Sequence, residues 1–345
     1  MKKAWVTGRK LRHTPQHLGF ETRSFHLAMY ILRIIIFLLL SAFGHCAQEC
    51  SVSTSEQPSV NSLLQVLQRS AEDDSVDPDP ATFLALRLTH QHNLEVLRHF
   101  QEVLKAAAVR RVTQEEDLPI GSTALYTLAF RSACLNPASI SDGQEQIDLV
   151  KLLEDELNLE IQSLGSKGQP LTDFYQISLA VLALCTEKQP IPTFVVKNIF
   201  DRVMNNRDPF GEPFFVDAAS MSVLALTCLH RTQLSASLRL NIERAIVRLL
   251  SLLLTKQQQD STIGSIYSTG LAVQALAEHN HLGFLAFRCA NNLQLLISEI
   301  PKGTFNTVRR VFPVILALKG VSLLHVRNIT CTSDQDNLTQ DENGK

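Results

Sequence analysis

Tryptophan is nearly missing from this chain: the single one is Trp5, and aromatic residues make up 6% of the total. A sugar-cleaving cleft needs two carboxylates about 5–10 Å apart and is usually walled by several Trp, so the shortage speaks against a glycosidase. Glycine and proline are also scarce, 14 and 13 among 345 residues, which disfavours a turn-rich β-sandwich or a disordered polymer. Strand-like alternation is almost absent. No G-x-S-x-G, H-E-x-x-H or P-loop pattern occurs. No two cysteines are close enough for a C-x-x-C zinc or redox pair. The expectation is a protein without catalytic machinery and without a directly bound metal.

Basic clusters are missing as well. Of 32 basic and 34 acidic side chains, seven and one fall in the first 47 residues, so the remainder carries 25 against 33, a net charge of −8. Such a surface argues against nucleic acid or an anionic membrane as partner. A long apolar run is lacking too. The heart of "ILRIIIFLLLSAFGHCA", Ile34 to Leu40, is about seven residues, short of the roughly 18–20 that a membrane-crossing helix needs.

With its basic lead and small residues before Cys46–Ala47, the segment 1–47 reads as a leader containing a secretory signal peptide, with Met29 as the working start. A secreted product with no membrane attachment after cleavage is expected. Cysteine usage agrees. Beyond Cys46 there remain Cys50, Cys134, Cys185, Cys228, Cys289 and Cys331, an even set that predicts three disulfides, although 15 pairings are possible. Asn328 and Asn337 head N-x-T sequons and are expected glycan acceptors.

What the chain does have is a repeat. The segments "ATFLALRL", "ALYTLAFR", "SLAVLALC", "MSVLALTC", "LAVQALAE" and "PVILALKG" each place an Ala one residue before Leu86, Phe130, Leu184, Leu226, Leu276 or Leu318. Their gaps are 44, 54, 42, 50 and 42 residues, a period near that of two helices per unit. These helices are apolar nearly all round, as expected of helices packed on both sides. Between them lie one-faced helices such as "NIERAIVRLLSLLL", where Ile242, Ala245, Ile246, Leu249, Leu250 and Leu253 follow 3–4 spacing. The predicted architecture is all-α, an α6/α6 barrel with six inner helices inside six outer ones; an open superhelix of hairpins is the alternative.

In a toroid of this kind the loops before the inner helices share one rim. That gathers Tyr175, Gln176, Asp217 and "SIYSTG" (Ser265 to Gly270) around free helix-start N–H groups. Thr172, Asp217 and Ser268, taken singly, also read as ordinary N-caps. The histidines His90, His92, His99, His279 and His281 read as surface or helix-end residues.

The segments "GSTALYTLAFRSAC", "DFYQISLAVLALC", "FFVDAASMSVLALTCL", "IGSIYSTGLAVQAL" and "PVILALKG" make the chain similar to the cobalamin (vitamin B12) carrier family of intrinsic factor, haptocorrin and transcobalamin. The resemblance implies a helical barrel over residues 48–331 that carries cobalamin or a related corrinoid as its ligand, followed by a polar, acidic tail at 332–345. It implies the pairs Cys50–Cys289, Cys134–Cys331 and Cys185–Cys228. It also implies that Thr172, Tyr175, Gln176, Asp217, Ser265, Tyr267 and Ser268 hold the ligand, with a monomeric protein and a cell-surface receptor as partner.

Three positions depart from the family pattern. Ser122 stands where relatives have Gln, Ser265 where they have Asp or Asn, and Pro313 where they have Gln. The loop "DPFGEPFFVD" contains no His, so cobalt is expected to keep its exogenous upper ligand, as in intrinsic factor and haptocorrin. Relatives continue into a smaller β-rich domain that closes over the ligand. The polar tail "TSDQDNLTQDENGK" stands where that lid would begin, so either a truncated product or a one-domain member with an open cup is expected. A toroid that has lost corrinoid binding is the competing reading.

Overall fold

The repeated segments are the inner wall of a closed ring. A computed structural model describes residues 50–329 apart from 74, 90–93, 115, 117, 206–214 and 283–286, and of residues 94–96 only the helical backbone. The leader, Cys331, Asn337 and the acidic tail lie outside the described residues.

Twelve α-helices alternate between two layers among the described residues. The outer ones are α1 (Gln57–Glu72), α3 (Leu94–Thr113), α5 (Leu149–Lys167), α7 (Thr193–Asn205), α9 (Ala236–Thr255) and α11 (Cys289–Glu299). The inner ones are α2 (Pro80–Leu88), α4 (Ile120–Ser132), α6 (Phe174–Thr186), α8 (Val216–His230), α10 (Ile266–Ala277) and α12 (Val308–Leu318). A two-residue-per-strand antiparallel hairpin, β1 (Ile140–Ser141) and β2 (Gln146–Ile147), bridges α4 and α5.

Closure is direct. Each inner helix packs on the next, and α12 packs back on α2, while α1 touches both. The open superhelix is therefore excluded. The six residues that mark the repeat, Leu86, Phe130, Leu184, Leu226, Leu276 and Leu318, all lie on inner helices and none is more than 3% exposed. The Ala before each keeps the ring tight, because a small side chain lets neighbouring helices approach. The approach is closest between α10 and α12. A Cβ on Gly270 would lie 2.8 Å from the Pro313 carbonyl oxygen, so only glycine fits there. The Gln274 amide donates to that same carbonyl at 2.9 Å.

The outer helices bury one stripe each. On α9 the buried set is Ile242, Ala245, Ile246, Leu249, Leu250 and Leu253, the stripe that the 3–4 spacing predicts. Each Leu or Ile so buried stabilises by about 1.5–3 kcal/mol relative to exposure.

The end of the ring formed by the inner helices' C-termini is sealed. A 3₁₀ segment, Leu323–Asn328, packs on α2, α4, α6 and α8 and inserts Leu323, Leu324 and Val326, each 1% exposed. Polar bonds finish the seal: the Arg87 side chain donates to the Ser132 carbonyl, and Ser322 bonds Glu278. Asn328, the first sequon residue, ends this segment and is exposed.

Covalent ties reinforce both layers. Cys185 on α6 is bonded to Cys228 on α8 at the sealed end, their Cα atoms 6.2 Å apart. Cys50 is bonded to Cys289 at the start of α11, across a sequence separation of 239 residues. Cys134 is also disulfide-bonded.

Candidate ligand-binding mouth of the barrel

The other end of the ring stays open. The N-termini of all six inner helices surround a cavity of about 1510 Å³. That exceeds the roughly 300–1,000 Å³ typical of small-molecule sites, so a ligand of macrocycle size fits better than a metabolite. Pro170, Phe215, Tyr267 and Phe312 give the mouth apolar walls between its polar groups.

Capping divides the rim into two kinds of helix start. Asp79, Asp173 and Ser265 cap α2, α6 and α10, accepting from Ala81 N at 2.8 Å, Gln176 N at 2.9 Å and Ser268 N at 3.1 Å. The intervening helices α4, α8 and α12 follow Pro119, Phe215 and Thr307, none of which makes a side-chain cap bond. Ser122 N and Arg310 N close on the Pro119 and Thr307 carbonyls, and the N–H groups before them in these first turns are left for solvent or ligand. The simple reading of Thr172, Asp217 and Ser268 as N-caps is thus corrected. The caps are Asp173 and Ser265, while Phe215, at the α8 cap position, makes no side-chain bond. A local pattern of Ser, Thr and Asp does not say which of them takes the cap.

Of the seven candidate ligand-holding residues, Thr172, Tyr175, Gln176, Asp217 and Tyr267 line the cavity. Ser265 and Ser268 are not among the lining residues. Their hydroxyls bond each other at 2.9 Å and hold the first turn of α10 together. Of the three departures from the family pattern, Ser122 and Pro313 line the cavity. Pro313 sits inside α12, one turn after its start, rather than at the helix end. The histidine-free loop lies largely outside the described residues; Phe215 and Asp217 at its end are described.

The chemistry of the lining groups follows from their surroundings. Burial pushes the Tyr175 phenol up to about 12, with the Asp217 charge adding to this and Arg309 opposing it. Tyr175 is therefore a protonated donor throughout the physiological range. Burial also raises the Asp217 carboxyl above its ordinary value, while a Ser268 hydrogen bond and the Arg309 guanidinium pull it back. Gln176 offers both an amide donor and an acceptor. Its side chain lies over Gly121, where a Cβ would stand 3.0 Å from its Oε1. Glycine at that point of α4 leaves the Gln176 amide room at the mouth.

Two carboxylates behind the rim escape sequence reasoning. Glu160 on α5 is 2% exposed and accepts from Leu171 N at 2.7 Å, Thr172 N at 3.1 Å and the Thr172 hydroxyl at 2.5 Å. It fixes the loop that delivers α6 to the mouth, and because the Thr172 hydroxyl donates to it, the hydroxyl oxygen faces other partners as an acceptor. Glu156, one turn earlier, accepts from Thr123 at 3.1 Å, and burial raises its carboxyl to about 7. On an amphipathic helix both read as solvent-facing; only the packing of α5 against α4 and α6 reveals them. Phe215, 67% exposed at the rim, likewise reads as a core residue within the apolar run "FFVD".

Among the described residues no group of three or more His, Cys, Asp or Glu is arranged to hold a metal ion. No described helix is long and apolar enough to cross a membrane.

Comparison with known proteins matches this architecture. Human cobalamin binding intrinsic factor is 28% identical over 318 residues, covering 90% of this chain and 69% of that protein. Human transcobalamin-1 is 27% identical over 318 residues, covering 88% of this chain and 71% of that protein. A crystal structure of haptocorrin in complex with Cbi superposes with a TM-score of 0.67 at 22% identity, over 83% of this chain and 72% of that one, a likeness of fold. The family model described as eukaryotic cobalamin-binding protein matches residues 31–344. With that match running through every helix of the ring, the chain belongs to the family of eukaryotic cobalamin-binding proteins.

Proposed function

We propose that this protein is a secreted, non-catalytic carrier that binds cobalamin or a related corrinoid at the open rim of its barrel, for transport or sequestration. The observation that carries the reading is the cavity of about 1510 Å³ with donors, acceptors and aromatic walls in a chain of this family. A corrin ring is broad, flat and edged with amide arms, and amide arms need acceptors and donors together.

In this reading each group has a task set by its chemistry. Asp217 accepts an amide N–H, a charge-assisted bond stronger than a neutral one. Tyr175 donates its phenol proton to an amide carbonyl, Gln176 does both, and Thr172 accepts. Tyr267 and Phe215 flank the macrocycle. Ser265 and Ser268 serve by shaping the start of α10 rather than by touch. Residues 48–331 act as the carrier unit after a leader at 1–47 is removed, as a monomer whose outer surface meets a cell-surface receptor. Cobalt chemistry belongs to the cargo, and the protein's part is to orient and shelter it.

Titration of the secreted protein with aquocobalamin, followed by gel filtration, tests this. Red absorbance travelling with the protein is the expected result, and Tyr175→Ala or Asp217→Ala is expected to weaken retention about tenfold each. Complete loss of colour from the wild type on desalting would favour a toroid that no longer binds corrinoids.

A further inference from the structure

Charge at the mouth is not evenly spread, although the chain beyond residue 47 carries a net charge of −8. Two of the three lining aspartates, Asp79 and Asp173, are occupied as helix caps. The same mouth carries Arg309 and Arg310, consecutive in the first turn of α12 and both lining the cavity. Arg310 is held in place: its Nη1 donates to Asn306 Oδ1 at 3.1 Å, and its guanidinium lies 4.9 Å from the Tyr267 ring centroid. Arg309 has no hydrogen-bond or ion-pair partner among the described residues. Its charge nevertheless reaches both Tyr175 and Asp217, so it sits within the array that faces the ligand.

Three further observations mark this wall. Thr307 makes no side-chain cap, so the start of α12 adds its own free N–H groups to the two guanidiniums. Pro313, four residues after Arg309 and also lining the cavity, has no side-chain amide to offer. Gln274 on α10, 2% exposed and lining the cavity beside Pro313, spends its amide on the Pro313 carbonyl and leaves its Oε1 without a partner. The wall therefore presents positive donors to the cavity, with the Gln274 Oε1 enclosed behind them.

We infer that the α12 wall is an anion-recognition subsite, in which Arg309 and Arg310 engage an oxyanion of the bound corrinoid. This rests on the corrinoid-carrier reading and sharpens it into a selectivity. The chemical class is a corrinoid bearing a phosphodiester or a carboxylate, in preference to one with neutral arms only. Guanidinium forks suit both oxyanions, since two parallel N–H bonds meet two oxygens.

The test uses the full secreted chain and three probes. Cyanocobalamin carries the phosphodiester, dicyanocobinamide lacks it, and cobinamide with one arm hydrolysed carries a carboxylate alone. The wild type is expected to hold cyanocobalamin about tenfold more tightly than dicyanocobinamide, with the ratio shrinking in roughly 0.5 M salt. In Arg309→Ala/Arg310→Ala the ratio is expected to fall to about one, cyanocobalamin affinity dropping further than dicyanocobinamide affinity, and Arg309→Lys/Arg310→Lys is expected to restore part of it. Tight binding of the carboxylate probe, lost in the double-alanine variant, would assign the anion to a side arm; a preference confined to cyanocobalamin would assign it to the phosphodiester. A ratio that survives the double-alanine change overturns the subsite while leaving corrinoid carriage intact. Failure of the wild type to hold any of the three overturns both.

Discussion

The two ends of the barrel are built from the same twelve helices and differ in almost every other respect. At the sealed end Leu323, Leu324 and Val326 plug the ring, with Arg87 bonded to the Ser132 carbonyl and Ser322 to Glu278. At the mouth, three of six inner helices start without a side-chain cap, and Phe215 and Tyr267 stand 67% and 45% exposed. Fold stability and ligand chemistry are thereby separated along the barrel axis. Changes at one end should be read in unfolding, and changes at the other in retention of ligand.

The largest expected effect breaks the sealed end. Leu324→Ala removes a side chain that is 1% exposed and leaves a cavity beneath four inner helices. A loss of about 2–5 kcal/mol in urea-melt stability is expected, with little change in corrinoid retention at temperatures where the protein remains folded. An equal loss of retention would show that plug and mouth are coupled.

Next comes the acid limb of stability. His279, 9% exposed beyond the end of α10, bonds the Thr227 hydroxyl at 2.8 Å, and burial lowers its pKa from 6.5 to about 4. Its folded form stays neutral where the unfolded chain already takes up a proton. Stability is therefore expected to fall as pH drops from about 6.5 to about 4, by up to roughly 3 kcal/mol. His279→Gln should flatten that limb in melts across the same range. Glu156, behind the rim, works in the opposite sense: its raised pKa makes its contribution greatest below about 4.5 and lost as pH rises through about 7.

The smallest effect sharpens the comparison at the mouth. Gly121→Ala places a Cβ 3.0 Å from Gln176 Oε1, the mobile end of a side chain, so the amide must shift while the helix stays intact. Retention is expected to weaken several-fold, within about 1 kcal/mol, with melting unchanged or slightly raised. A clear fall in melting temperature would mean that Gly121 serves packing rather than the amide.

The ring was legible in the sequence because its signal is local and repeated. An Ala before Leu or Phe marks every inner helix, and the 3–4 stripe of α9 matches its buried face residue for residue. The mouth was legible only in part. Tyr175, Gln176 and Asp217 announce themselves by standing at the heads of apolar helices. Glu160, Arg309 and Arg310 do not, since a charged residue on a helix reads as solvated until the tertiary fold shows what it faces. Capping failed for a related reason: whether Thr172 or Asp173 caps α6 turns on a one-residue shift in backbone path that composition does not encode. His279 was expected at a helix end and lies there, but it is buried and bonds Thr227 on a neighbouring inner helix, 52 residues away.

The bond between Cys50 and Cys289 has a consequence for how this protein breaks. It ties the beginning of the first hairpin to the last outer helix, so a single proteolytic nick anywhere in the intervening chain yields two pieces that still travel as one molecule. Such damage would pass unseen on a non-reducing gel and emerge only when a thiol is added.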